Sequence, residues 1–177
     1  MDYEYYDNYI NKETRVRRDI TPIFEHPKVF SNLLEDLFEP FKNSDITKIV
    51  GLDALGFIIG SALSQKYQIS FVPIRKGGKL PSNEIIKSTF VDYTNTAKSF
   101  EINTNSINKK DRILIVDDCI ETGAQMITAI KLIEKLEGNI VGISVICSYK
   151  NSKTKVLFDK YNCNALGTIS KINFENE

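Results

Sequence analysis

Ile113-Leu114-Ile115-Val116-Asp117-Asp118-Cys119-Ile120-Glu121-Thr122-Gly123 is the stretch that decides the fold. An apolar run ends in two adjacent carboxylates, a Thr-Gly turn follows, and a helical apolar pattern opens at Ala124. A strand covered on both faces reads as a continuous apolar run, as the inner strands of parallel α/β sheets do. The aspartates then stand at the carboxyl end of a central strand, the edge where open α/β sheets bind ligands. The Thr-Gly turn leads backbone N–H groups to a helix N-terminus, where a phosphate is favoured. Ionised carboxylates only accept hydrogen bonds, so an aspartate pair beside a phosphate pocket suits a sugar with two neighbouring hydroxyls. The segment reads as a cradle for a ribose phosphate.

Three further stretches surround it in sequence: Arg18-Asp-Ile-Thr-Pro22, Gly51-Leu-Asp-Ala-Leu-Gly-Phe57 after a strand-like Lys48-Ile-Val50, and Phe71-Val-Pro-Ile-Arg-Lys-Gly-Gly-Lys-Leu-Pro81. Val116 to Gly123 resembles the phosphoribosyl-pyrophosphate motif of type I phosphoribosyltransferases. Phe71 to Pro81 resembles the start of the flexible loop of the adenine-specific branch. All four stretches occur in that family's order and spacing, over roughly residues 15–170. The resemblance implies an α/β fold, a type I phosphoribosyltransferase-like parallel sheet flanked by helices, with a small hood and a flexible loop. With the chain's size it implies a single domain over residues 1–177, with a lid at 77–98. The polar, aromatic residues 1–14 read as a flexible or partner-docked N-terminal arm, with a disordered tail as the alternative.

Composition sets limits. A chain of 177 residues has the size of one domain with a real core. Acidic and basic side chains balance at 23 each, so no basic field points to nucleic acid or to an anionic membrane. No apolar run is long enough to span a bilayer, and the acidic, aromatic start Met1-Asp-Tyr-Glu-Tyr-Tyr6 is unlike a signal peptide. Cys119, Cys147 and Cys163 are widely spaced and form neither a metal motif nor a disulfide framework. The simplest reading is a cytoplasmic protein with free thiols.

Along the chain, apolar spacing predicts helices at 29–41, 55–66, 125–136 and 153–161. Strands are predicted at 46–52, 69–74, 113–116, 140–147 and 165–172, with an antiparallel pair at 90–93 and 99–102. Gly138 is expected to end the third of these helices, as glycine commonly does. The alternation of strand and helix argues for a parallel sheet with right-handed crossovers.

What the resemblance implies for single residues is specific. Asp117 and Asp118 would hold the ribose hydroxyls, Asp118 also answering positive charge on the sugar. Thr122, Gly123, Ala124 and Gln125 would bind the 5′-phosphate. Asp53 and Ala54 belong to a pyrophosphate loop that in the family often contains a cis peptide. Arg75, Lys76 and Lys79 would neutralise the diphosphate. Asp92, in Phe90-Val-Asp-Tyr93, takes the place of a glutamate that assists proton transfer at the base; its alternative is an ordinary polar strand residue. Arg17, Arg18 and Cys119 fall where the family clamps its base. Mg²⁺ would be the cofactor, held through substrate oxygens rather than by a protein cage. The partners implied are phosphoribosyl pyrophosphate and a purine base, with a homodimer expected from the family's habit.

The chain also departs from the family. Leu55 replaces an arginine, Ala124 a glycine, Arg17 a phenylalanine and Cys119 an aliphatic residue. Glu121 stands where a small residue is usual. Aimed at a phosphate from 4 Å it would repel by about 4 kcal/mol at an effective dielectric near 20. Glu121 must therefore point elsewhere. Hypoxanthine–guanine phosphoribosyltransferases, which the chain resembles at this position, carry an aspartate there beside the purine N7, and that resemblance implies that Glu121 reaches N7 as acid or base. The alternative is a helix-start glutamate favoured by the macrodipole. With these departures, a second class stays open beside the transferase: a non-catalytic regulator that binds phosphoribosyl pyrophosphate or a nucleotide.

Overall fold

The computed structural model describes residues 1–14, 18–92 and 96–170. In these, seven strands form one sheet in the order β3-β4-β2-β1-β5-β6-β7. β1 (Lys48–Leu52) pairs in parallel with β2 (Ser70–Lys76) and with β5 (Arg112–Ile120). β6 (Asn139–Tyr149) and β7 (Cys163–Ile169) continue the parallel order. β3 (Ile85–Val91) and β4 (Ala97–Asn103) form an antiparallel pair, joined to β2 through Arg75↔Glu101 and Lys76↔Phe100.

The apolar run of β5 is explained by what covers it. Ile113 and Ile115 feed a core shared with α4 (Ala124–Lys135). Leu114 and Val116 face the other way, into a core built with α2 (Pro27–Phe38) and α3 (Leu55–Tyr67). Successive strand side chains point to opposite faces, so a strand buried twice needs no polar positions. On α2, Val29, Leu33, Leu34 and Leu37 make the buried stripe, with Pro27 in the first turn, where its missing N–H costs nothing. α5 (Ser152–Lys160) opens on a capping box between Asn151 and Thr154.

Two local expectations are revised. The left-handed residue after α4 is Glu137, at φ 61°, and not Gly138. Gly138 is needed for space instead: a Cβ there would stand 2.5 Å from Ile113 and 2.7 Å from Ile107. The N-terminal segment packs on its own domain. α1 (Tyr3–Asp7) is capped by the Asp2 side chain, and Tyr6 is fully buried with its hydroxyl donating to Asp36. Among the described residues, no helix is long and apolar enough to cross a membrane.

Candidate active site

β1 lies between β2 and β5, so the chain leaves it toward one side and later returns on the other. Such a reversal opens a crevice at the carboxyl ends of the strands. Here its geometry follows from unequal strand lengths. β6 pairs with β5 as far as Ile120↔Ser148, whereas β1 pairs with it only to Gly51↔Val116. Asp117 and Asp118 therefore lie inside β5, not past its end, and their edge toward β1 is open. The Asp118 backbone N–H donates to Asp117 Oδ1 at 3.0 Å, and Asp117 is 7% exposed.

Three adjoining recesses meet there, and Cys119 and Glu121 line all of them. The first contains Asp92, Asp117, Thr122, Gly123 and Gln125. Gly123 takes φ 82°, and α4 starts at the next residue. The Ala124 N–H donates to Thr122 Oγ1 at 3.3 Å. Asn151 Nδ2 donates to the Glu121 carbonyl at 2.8 Å, fixing this turn to the start of α5. The first-turn N–H groups of a helix have no intrahelical acceptor, so this recess offers donors to an anion; Glu121, expected to point away from the phosphate, lines it as well, because it sits in the turn that forms the recess.

The second recess contains Asp53, Ala54, Leu55, Lys76, Lys98, Asp117 and Asp118. The Asp53–Ala54 peptide is cis, as the resemblance implied for this loop. Asp53 accepts from the Lys76 backbone at 3.4 Å, with Lys76 Nζ at 3.6 Å and Arg75 Nε at 3.8 Å. Gly56 brings α3 against β5: a Cβ on it would stand 2.9 Å from the Val116 carbonyl oxygen.

The third recess contains Arg18, Ile20, Asp118, Cys147 and Tyr149. Arg18 donates to Asp7, and to the Tyr3 hydroxyl at 3.4 Å. Arg17 lies outside the described residues. Cys119 is not a free thiol: it is bonded to Cys147, leaving Cys163 as the one free cysteine. The physical reason for this correction is register. Parallel strands place the two residues opposite each other, Cα to Cα 4.7 Å, although 28 positions separate them in sequence.

Arg75 and Lys79 do not line these recesses. Arg75 Nη1 donates to the Lys79 carbonyl at 2.7 Å. The turn that carries Lys79 is held by Glu101, whose carboxylate accepts from the backbone of Gly78, Lys79 and Leu80 at 2.9, 2.8 and 2.5 Å. Burial pushes the Glu101 carboxyl up, but these donors and nearby Lys87 outweigh it and hold it below the ordinary carboxylate value. Glu101 was missed in the sequence, although an acid between Phe100 and Ile102, both buried, is a visible anomaly. Lys98 was missed as well. It pairs with Asp92, whose side chain is 1% exposed, and nothing in its own neighbourhood of sequence signals that.

Comparison with known proteins agrees with this geometry. A family model described as a phosphoribosyl transferase domain matches residues 20–175. The chain belongs to the phosphoribosyltransferase family, and its relatives place it in the adenine phosphoribosyltransferase branch. That of Brachyspira hyodysenteriae is 38% identical over 150 residues, 84% of this chain and 86% of the relative. That of Yersinia pseudotuberculosis is 40% identical over 129 residues, 73% of this chain and 68% of the relative. Among solved structures, the adenine phosphoribosyltransferase of Rhodothermus marinus superposes with a TM-score of 0.85 at 30% identity, covering 94% of this chain and 98% of its own. The Saccharomyces cerevisiae enzyme, solved with an imino-altritol bisphosphate and adenine, gives 0.81 at 29% identity, covering 93% and 98%.

Proposed function

We propose that the chain transfers ribose 5-phosphate from phosphoribosyl pyrophosphate to adenine, giving a nucleoside monophosphate and pyrophosphate, a purine-salvage reaction. The observation that carries this reading is the meeting of three recesses at Cys119 and Glu121. A phosphate, a leaving diphosphate and a base then surround one ribose. The base nitrogen bonds to the anomeric carbon as the bond from that carbon to the diphosphate oxygen breaks. The diphosphate departs with the electron pair, and the base loses one proton.

In this reading Asp117 and Asp118 accept from the ribose hydroxyls, and Asp118 also answers the positive charge that builds on the sugar. Thr122, Gly123, Ala124 and Gln125 surround the 5′-phosphate. Asp53, Ala54 and Lys76 face the diphosphate, while Arg75 near the end of β2 and Lys79 in the turn after it add positive charge from outside the recess. Arg18 and Cys119 border the base; Arg17, outside the described residues, is assigned to it by the resemblance alone. Glu121 takes or gives the base proton, and Asp92 assists from the β3–β4 lid at residues 77–98.

Magnesium fits the donor set, because Asp117 and Asp118 offer carboxylate oxygens and Mg²⁺ favours oxygen ligands while keeping waters. Among the described residues no group of three or more acidic, histidine or cysteine side chains could hold an ion alone. The ion would be shared with diphosphate and ribose oxygens, where it would offset negative charge on the leaving group. A cytoplasmic homodimer is the accompanying expectation, although a Cys119–Cys147 disulfide is uncommon in that compartment, and light scattering tests its assembly.

The test is pyrophosphate release from phosphoribosyl pyrophosphate and Mg²⁺. Release that requires adenine supports the reading. Binding of the diphosphate without release in the presence of any base would point to a regulator instead.

A further inference from the structure

The second recess presents mostly negative charge to any ligand: Asp53, Asp117, Asp118 and Glu121 line it, against the cations Lys76 and Lys98. Lys76 stands 3.6 Å from Asp53. Lys98 arrives from β4, opposite Phe90 in the antiparallel register. Its side chain is 44% exposed and pairs with an Asp92 side chain that is 1% exposed. A lysine ammonium has three donors and no acceptor. One directed at Asp92 leaves two for a ligand in the recess that Lys98 lines.

We infer that Lys98 is a diphosphate-binding residue, bridging the leaving diphosphate to Asp92 and so tying the β3–β4 pair to occupancy of the recess. The inference rests on the phosphoribosyl-transfer reading. It assigns the residue that contacts the leaving group from the hairpin side, opposite the Asp53–Leu55 loop. Before the diphosphate binds, Lys98 neutralises Asp92. Once it binds, the same ammonium is shared between a carboxylate and a phosphate oxygen, both of which accept charge-assisted hydrogen bonds.

Calorimetric titration with magnesium pyrophosphate and, separately, with AMP tests this in the wild type, Lys98→Met and Lys98→Arg. AMP carries no diphosphate and serves as the control for an intact ribose-phosphate site. Lys98→Met is expected to weaken pyrophosphate by about 10- to 100-fold, the loss of one charge-assisted hydrogen bond. AMP affinity should stay within about twofold, the range left when no bond to the ligand is lost, and Lys98→Arg should retain pyrophosphate binding. Lys98→Gln keeps a donor toward Asp92 without the charge; it replaces the methionine variant if that one fails to fold, with the same split expected. Unchanged pyrophosphate affinity without the charge overturns the inference. So does an equal loss of both ligands, which would make Lys98 a support for Asp92 alone. A wild type that binds neither ligand would instead sink the phosphoribosyl-transfer reading itself.

Discussion

A Cβ added to Gly56 would stand 3.0 Å from Oδ1 of Asp117. The start of α3, which follows the Asp53–Ala54 loop, is thus packed directly on the aspartate at the heart of the cleft. Because the other close neighbour is the Val116 carbonyl, which is backbone, the site cannot yield by turning a side chain.

Gly56→Ala should therefore displace the loop and Asp117 together. The expected destabilisation is about 1–3 kcal/mol, typical of overpacking. Displacement of catalytic geometry by about 1 Å can cost about 100-fold, so kcat/KM should fall by that order. Melting curves and steady-state kinetics on the same preparation check both. Full activity with a lowered Tm would mean that the contact matters only for packing.

Glu101→Gln should loosen the turn at residues 78–80. Hydrogen bonds to a charged group contribute about 1.5–3 kcal/mol in favourable cases, so a loss of about that size is expected at neutral pH. The carboxyl is held below its ordinary 4.5, so its stabilisation is complete above that value. It is lost as pH falls through the lower folded-state value. Denaturant unfolding of both proteins from pH 7 downward should show the difference between them shrinking below about pH 4.5, the ordinary value. A difference that persists in acid would contradict the role given to the charge.

Glu121→Ala should lower kcat with adenine by about 100-fold, within the usual range for a general acid or base. Affinity for phosphoribosyl pyrophosphate should hold or tighten, since a negative charge near the phosphate recess is removed. Steady-state kinetics with both substrates varied separates the two effects. Unaltered turnover would return Glu121 to the role of a helix-start residue.

Much of this was legible because the information was local. The Ile113–Gly123 stretch carries strand, carboxylates, turn and helix start in consecutive positions, and the parallel character of the sheet follows from the strand–helix alternation around it. What escaped the sequence depends on register or on long-range packing. Cys119 meets Cys147 only because β5 and β6 align at that step. Asp92 and Lys98 meet across the β3–β4 pair. Tyr6 reads as one of several tyrosines in a polar segment, because a helix of five residues is too short to display a period. The left-handed position after α4 falls on Glu137, while Gly138 serves the space beside Ile113 and Ile107.

The cysteine pairing makes a countable prediction. Denatured without reductant, the chain should show one reactive thiol, and three after reduction. In the folded, unreduced protein Cys163 should react slowly at pH 8, because burial pushes its thiol up to about 12 and the thiolate is the reactive form. Thiol titration with a chromogenic disulfide reads all three states. Three thiols in the unreduced, denatured chain would show that Cys119 and Cys147 are not joined.

The most direct measurement is a competition. Adenine, hypoxanthine, guanine and xanthine are supplied together in equal amount with phosphoribosyl pyrophosphate and Mg²⁺, and the nucleotides formed are identified by mass. The account predicts AMP as the product, with pyrophosphate in equal amount. An oxopurine nucleotide in its place, or no nucleotide from a protein that binds phosphoribosyl pyrophosphate, would contradict it.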